Sequence, residues 1–289
     1  MTKTIALLGH PVAHSLSPRF QQAALDALGV DARYEAWDVL PEDIPVALER
    51  LRGGEMLGAN VTIPHKETVA RLADRPDALV EWMGAANTLV NRDGLLHATN
   101  TDITGIQRSL AAEGVDVHGQ RVVLLGAGGA ARAVVIAMRR AGAAHLAIAN
   151  RDQARAQAVA SLGGDALPTT VLPFDATAPA LLAAVVEASL IVNATPLGMA
   201  HSPGEHTSPL PPSAFRAGQA AFDLVYIPEE TPFLRDARAA GAHPIGGLAM
   251  LIHQGAEAFR LWTGLEPPLD VMFEAARTAL AERAQAERR

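Results

Sequence analysis

The chain has 289 residues, is 49% apolar, sets 31 acidic against 24 basic side chains for a net charge of −7, and contains no cysteine. Its length points to two domains, and its composition to a soluble globular protein with an ample core. The acidic excess excludes a nucleic-acid partner held by a basic patch; the missing cysteine excludes disulfides, a thiol nucleophile and a cysteine-based metal site, as suits a cytoplasmic protein.

Residues 4–9 read as a first strand, in an apolar run too short for a signal peptide. The loop 10–18 follows, then a helix over 18–28, with Ser17 as its N-cap and Pro18 in its first turn. A strand over 34–39, a helix over 41–52, a short strand over 58–64 and a helix over 66–72 come next. Residues 86–91 and 95–99 flank Arg92-Asp93-Gly94 as a hairpin, and a helix over 103–113 leads into the second half. There, strands near 121–125, 145–149, 169–174, 189–194, 220–225 and 243–245 alternate with helices, as a doubly wound sheet requires. The loop 199–212 is rich in Pro, His, Ser and Gly. Helices from Gly247 to about residue 262 and from 270 to about 282 fit either half by periodicity, and the polar tail 282–289 is expected to fray. No apolar stretch approaches membrane-spanning length.

The run Gln120-Arg-Val-Val-Leu-Leu-Gly126 suits a buried parallel strand and its turn, and Ala-rich, helix-favouring sequence continues from Gly129 through Arg140. Gly126, Gly128 and Ala131 stand at the spacing G-x-G-x-x-A. The first glycine permits the tight turn, the second lets a pyrophosphate approach the backbone, and the small third residue lets helix and strand pack closely. Gly126, Ala127, Gly128, Gly129 and Ala130 are therefore expected to line a dinucleotide, with the helix N-terminus offering N–H groups and a positive dipole end to the phosphates. The next strand ends at Asn150-Arg151, where NAD-binding folds place an acid for the ribose 2′-hydroxyl. Arg151 and Arg155 instead suit a 2′-phosphate, held by charge-assisted, forked hydrogen bonds, and favour NADP(H). Asp152 opposes that choice if its carboxylate faces the phosphate.

Several polar residues of the first half fall where strands and helices do not ask for them. Ser15 and Ser17 are spaced to grip a carboxylate together, or to serve as turn and cap. Asn60 and Thr62 share one face of a strand. Lys66 opens a helix, where the dipole disfavours a cation, so it calls for an anionic partner or substrate. Asn87 and Asp102 end or follow later strands. A lysine and an aspartate meeting in a cleft handle protons, once burial or neighbours adjust a lysine whose ordinary pKa is about 10.4. Each residue alone has a structural reading; together, ahead of a dinucleotide fold, they point to chemistry. A metal site is not expected. Pro11 denies His10 and His14 a shared helical face, and His201 and His206 lack a third ligand at a recognisable spacing. There is no G-x-S-x-G elbow and no P-loop lysine, which removes the main hydrolase and NTPase readings.

Nine segments in order now resemble the shikimate dehydrogenase family over nearly the whole chain: His14-Ser-Leu-Ser-Pro18, Gly58-Ala-Asn-Val-Thr-Ile-Pro-His-Lys-Glu67, Gly84-Ala-Ala-Asn-Thr88, Asn100-Thr-Asp102, Gly126-Ala-Gly-Gly-Ala-Ala-Arg132, Asn150-Arg151 with Arg155, Asn193-Ala-Thr195 with Gly198-Met199, Asp223-Leu-Val-Tyr226 and Gly247-Leu-Ala-Met-Leu-Ile-His-Gln254. The resemblance implies an α/β fold with an N-terminal substrate-binding domain completed by the C-terminal helices, residues 1–103 with 247–289. A Rossmann-like NADP-binding domain with a mainly parallel, doubly wound sheet, residues 104–246, is inserted between them. It implies NADPH-dependent reduction of 3-dehydroshikimate to shikimate, on the route to chorismate and the aromatic amino acids, by a monomer or homodimer acting on small molecules with no nucleic-acid or membrane partner. By the same resemblance Lys66 and Asp102 are the catalytic pair, and Ser15, Ser17 and Tyr226 contact the substrate carboxylate. Asn60, Thr62, Asn87 and Gln254 contact substrate hydroxyls or the catalytic lysine; Gly247 and Met250 line the nicotinamide site, and Thr195 lies on a loop that approaches the cofactor. Two alternatives stand beside this: an NAD-using quinate/shikimate dehydrogenase of quinate catabolism, for which Asp152 speaks, and a non-catalytic NADP-binding regulator.

Overall fold

Two strands with no exposed apolar side chain, β1 (Lys3–Gly9) and β7 (Arg121–Leu125), each lie inside a six-stranded sheet of the computed structural model, which describes residues 2–287. The chain divides into two compact units, one running up to Gly105 and resuming at Leu251, the other Ile106–Met250.

In the first unit the strand order is β2-β1-β3-β5-β6-β4, with β2 (Ala32–Asp38), β3 (Met56–Val61), β4 (Arg75–Pro76), β5 (Thr88–Arg92) and β6 (Leu95–Thr99). β1 runs parallel to β2 and β3, while β5 is antiparallel to both β3 and β6. The β5–β6 turn is tighter than the sequence suggests. Asp93 and Gly94 alone form it, with φ of 53° and 81°, the paired positive values of a two-residue hairpin whose twist matches its strands. The helices of this part are α1 (Ser17–Ala27), α2 (Ile44–Leu51), α3 (Lys66–Leu72), α4 (Ala78–Met83) and α5 (Asp102–Ala112), the last running on into the second unit. Leu8, Ile44, Leu48, Leu51, Val69, Leu89 and Leu96 form the core between sheet and helices. Each such side chain contributes about 1.5–3 kcal/mol by leaving water.

The C-terminal helices α10 (Gly247–Thr263) and α11 (Leu269–Glu287) settle which half they complete, because α10 from Leu251 and all described residues of α11 belong to the first unit. Trp262 Nε1 donates to Leu89 O at 2.8 Å, directly above Gly58. A β-carbon on Gly58 would stand 2.0 Å from that same carbonyl, so glycine is required there. Two sequence expectations need correction. Ser17 is not an N-cap: Leu16 holds that place without a side-chain bond, and Ser17 is the first helical residue, its N–H taken by Ser15 Oγ at 3.2 Å. Nor does the tail fray from residue 282, since α11 is helical to Glu287; Glu282 pairs with Arg19 at 2.9 Å and Arg283 donates to His14 O. Arg288 and Arg289 lie outside the described residues.

The second unit is wholly parallel, in the order β12-β11-β10-β7-β8-β9, with β8 (His145–Asn150), β9 (Thr169–Pro173), β10 (Leu190–Asn193), β11 (Ala220–Asp223) and β12 (His243–Ile245). Counted from β7 this is the doubly wound order 3-2-1-4-5-6 of dinucleotide-binding folds. Helices α6 (Gly129–Arg140), α7 (Gln153–Ala160), α8 (Pro179–Glu187) and α9 (Pro232–Ala239) cross between the strands. The order reverses between β7 and β10, and the crevice outside the carboxyl ends of those strands is where such folds bind ligands.

Candidate functional site

In the first unit a polar cluster gathers at the ends of β3, β5 and β6. Lys66 Nζ lies 2.5 Å from Asp102 Oδ2, and both side chains are largely withdrawn from solvent, at 15% and 4% exposure. The cation misplaced at the start of α3 thus has its anion, and that anion sits favourably in the first turn of α5. Asn87 organises what surrounds the pair. Its Nδ2 donates to Asp102 Oδ1 at 2.8 Å and to Gln254 Oε1 at 3.1 Å, while its Oδ1 accepts from Thr101 N at 2.7 Å and Thr88 Oγ1 at 2.9 Å. Asn60 stands behind it, donating to Asn87 O and accepting from Tyr34 Oη at 2.8 Å. Next to Lys66, His65 is buried with Nε2 at 2.7 Å from Val39 O, and burial lowers its pKa and keeps it neutral. Lys66 therefore has one carboxylate neighbour and further N–H groups to spare, the arrangement of a proton donor and acceptor with a fixed orientation.

Ser15 and Ser17 sit apart from those contacts, at the junction of the first loop and α1; Ser17 is 4% exposed. Arg283 of α11 steadies their loop through the His14 carbonyl. Thr62 follows β3, with its methyl against the backbone of Gly9. The sequence does not mark Tyr34, Thr88, Thr101 and Arg283 as functional, because their contribution consists of contacts to residues far along the chain. Only Thr88 and Thr101 carry a signal in the sequence, standing next to Asn87 and Asp102.

In the second unit Gly126 has φ +107°, and a β-carbon there would lie 2.8 Å from Ala194 O. The turn after β7 thus meets the loop after β10 at the switch point. Gly128 is the N-cap of α6, has no side chain to cap it, and has open space where a β-carbon would be. Backbone can approach there closely, which is what a pyrophosphate needs. At the end of β8, Arg151 and Arg155 are exposed. The Asp152 carboxylate is committed locally: Oδ1 accepts from Arg155 N at 3.0 Å as the N-cap of α7. Gly247 opens α10, where a β-carbon would fall 2.7 Å from the carbonyls of Leu224 and Val225, and Met250 is buried one turn on.

Asp223, at the end of β11, is fully buried with three donors: Asn193 Nδ2, Val225 N and Thr231 Oγ1. Burial outweighs those donors and pushes its pKa up to about 7. An aspartate ending the apolar run Ala220-Ala-Phe was the sequence signal for it. Among the described residues no group of three or more His, Asp or Glu side chains is placed to hold a metal, and no helix is long and apolar enough to cross a membrane.

A doubly wound parallel sheet with a glycine turn at its switch point, and a withdrawn Lys–Asp pair on an α/β unit, define a dinucleotide-dependent oxidoreductase. The comparisons with known proteins narrow the class. Residues 7–89 match the family model of the shikimate dehydrogenase substrate binding domain, 109–196 that of shikimate/quinate 5-dehydrogenase, and 247–277 that of the shikimate 5′-dehydrogenase C-terminal domain. The NADP(+) shikimate dehydrogenase of Moorella thermoacetica is 47% identical over 280 residues, covering 96% of this chain and 94% of its own. The shikimate 5-dehydrogenase of Thermus thermophilus, solved with NADP(H) and shikimate, superposes with a TM-score of 0.85 at 42% identity over 96% of this chain and 100% of its own. A quinate dehydrogenase from Corynebacterium glutamicum, solved with NAD, gives 0.87 at 31% identity over 96% and 99%. The chain belongs to the shikimate dehydrogenase family.

Proposed function

We propose that this protein is an NADP-dependent shikimate dehydrogenase, catalysing the reversible reaction of 3-dehydroshikimate with NADPH and a proton to give shikimate and NADP+. The observation that carries the reading is the 2.5 Å contact of Lys66 with Asp102, on the unit that family models match to substrate binding. In this reading the unit containing residues up to Gly105 and from Leu251 supplies Lys66 and Asp102, and Ile106–Met250 takes the dinucleotide.

The residues of the second unit suit NADP(H). Gly126, Ala127, Gly128, Gly129 and Ala130 would hold the pyrophosphate, Asn150, Arg151 and Arg155 the adenosine ribose with its 2′-phosphate, and Thr195, Gly247 and Met250 the nicotinamide end. When bound, the cofactor supplies the hydride. This chain's side chains do the rest. Ser15, Ser17 and Tyr226 bind the carboxylate, while Asn60, Thr62, Asn87 and Gln254 orient the hydroxyls or the lysine. Lys66 donates to the carbonyl oxygen, stabilises the negative charge that develops there and delivers the proton; Asp102 orients Lys66 and accepts from the neighbouring hydroxyl. In the oxidative direction Lys66 takes the proton back.

Replacement of Lys66 by alanine is expected to lower kcat by about 10²–10⁴-fold while leaving NADP+ affinity and Tm near wild type. Near-wild-type turnover would remove Lys66 from catalysis. Crossing shikimate and quinate with NADP+ and NAD+ in steady state tests the substrate and cofactor together: the NADP+–shikimate pair should dominate, and equal efficiency on quinate with NAD+ would overturn the reading.

A further inference from the structure

In the reading above, Thr195 serves the dinucleotide and Tyr226 the substrate, yet they sit on different loops, one leaving β10 and the other β11. One buried carboxylate ties both loops. On its own side Asp223 Oδ1 accepts from Val225 N at 3.0 Å, and Oδ2 accepts from Thr231 Oγ1 at 2.6 Å. Across the strand pair Oδ1 also accepts from Asn193 Nδ2 at 2.9 Å. Asn193 in turn grips the other loop: its Oδ1 accepts from Thr195 N at 3.0 Å and Thr195 Oγ1 at 2.7 Å, and its second amide hydrogen goes to Leu197 O at 3.2 Å. Asp223, Asn193 and Thr231 are all fully buried, so a donor that loses its partner has no bulk solvent beside it.

Packing alone does not call for this residue. β11 is otherwise Ala-Ala-Phe, and a buried carboxylate costs free energy that an apolar side chain would not. What it adds is three acceptor contacts converging at the strand ends, beside the switch-point turn at Gly126. We propose that Asp223 is a positioning residue of the reaction, setting the Thr195 loop indirectly, by holding Asn193, and the Tyr226 segment by its bond from Val225 N. The proposal rests on the shikimate dehydrogenase reading for the identity of the two ligands.

Three variants separate positioning from structural support. Asp223→Ala releases both loops. Asp223→Asn keeps a carbonyl for Asn193 and Val225 and turns an NH2 toward Thr231 Oγ1, which has a second lone pair free beside its bond from Leu234 N. Asn193→Ala releases the Thr195 loop alone. Steady-state KM for shikimate and for NADP+ is measured below each Tm, with amide hydrogen exchange followed over residues 194–198 and 224–227. Expected are rises on the order of 10-fold or more in both KM values for Asp223→Ala, a rise in KM for NADP+ alone for Asn193→Ala, and values within about 3-fold of wild type for Asp223→Asn. Exchange should quicken in both segments, in 194–198 only, and in neither, respectively. A lowered Tm for Asp223→Ala with both KM values and both exchange patterns unchanged would overturn the proposal. If that variant does not fold, Asn193→Ala decides, and equal change in both KM values, or in neither, overturns it. Wild-type protein that fails to turn over shikimate with NADP+ would sink the functional reading instead, and hydrogen exchange would then judge Asp223 alone.

Discussion

Replacing Asp223 by asparagine should abolish a specific pH dependence of stability. In the folded protein burial lifts this carboxyl from its ordinary 3.8 to about 7, and none of its three hydrogen-bond partners carries a formal charge. Between these values the folded chain keeps a proton that the unfolded chain has lost. Folded protein therefore binds more protons, and stability falls as pH rises through that window. The contribution is fully present below the unfolded value and gone above about 7. Each pH unit of displacement is worth about 1.4 kcal/mol, so the whole effect is about 4 kcal/mol, of which about 3 kcal/mol falls between pH 5 and pH 8. Asparagine has the same shape and cannot ionise, while every other group titrates alike in both proteins. The difference in Tm between Asp223→Asn and wild type, read by calorimetry without ligand, should thus move in favour of the variant by about 6–12 °C from pH 5 to pH 8, at roughly 2–4 °C per kcal/mol. A difference that stays flat, or moves the other way, would show that the three donors hold Asp223 ionised and that burial does not govern it.

Gly58→Ala places a β-carbon 2.0 Å from Leu89 O and 2.7 Å from Trp262 Nε1, at φ +152°. It should cost about 3 kcal/mol or more in a denaturant midpoint, and a wild-type midpoint would refute the packing described. Arg151→Ala or Arg155→Ala should raise KM for NADP+ on the order of 10–100-fold and leave that for NAD+ unchanged. Equal weakening of both cofactors would take the arginines off the 2′-phosphate. Asp152→Thr keeps a side-chain acceptor for the cap and removes a charge from between the two arginines, so it should lower KM for NADP+ with little change in Tm. Arg283→Ala frees the His14 carbonyl and should raise KM for shikimate while sparing KM for NADP+; an unchanged KM for shikimate would show that the loop carrying Ser15 and Ser17 holds itself.

The α/β class, the parallel strands of the second unit and the glycine turn were legible in the sequence because their causes are local. A strand buried on both faces must be a continuous apolar run, as in Val122 to Leu125, and the turn needs Gly126 at a φ that other residues resist. Sequence also named Lys66, Asn87 and Asp102 one by one, and Gln254 by the family resemblance. Only the family resemblance joined them, since Lys66 and Asp102 stand 36 residues apart and Asn87 and Gln254 167 apart, and no periodicity spans such separations. Local rules failed where a distant partner took over. Ser17 reads as a cap, but Ser15 supplies the oxygen within a loop that Arg283 anchors; the residues after 282 read as a loose polar tail, but Arg19 holds Glu282 and the helix runs to Glu287. Asp152 and Asp223 mark the same limit. Sequence could say that Asp152 stands between two arginines, and it held Asp223 only as part of a family-like segment. Only the fold decided that the first spends its oxygen on the N–H of Arg155, while the second is buried among neutral donors where water cannot compete.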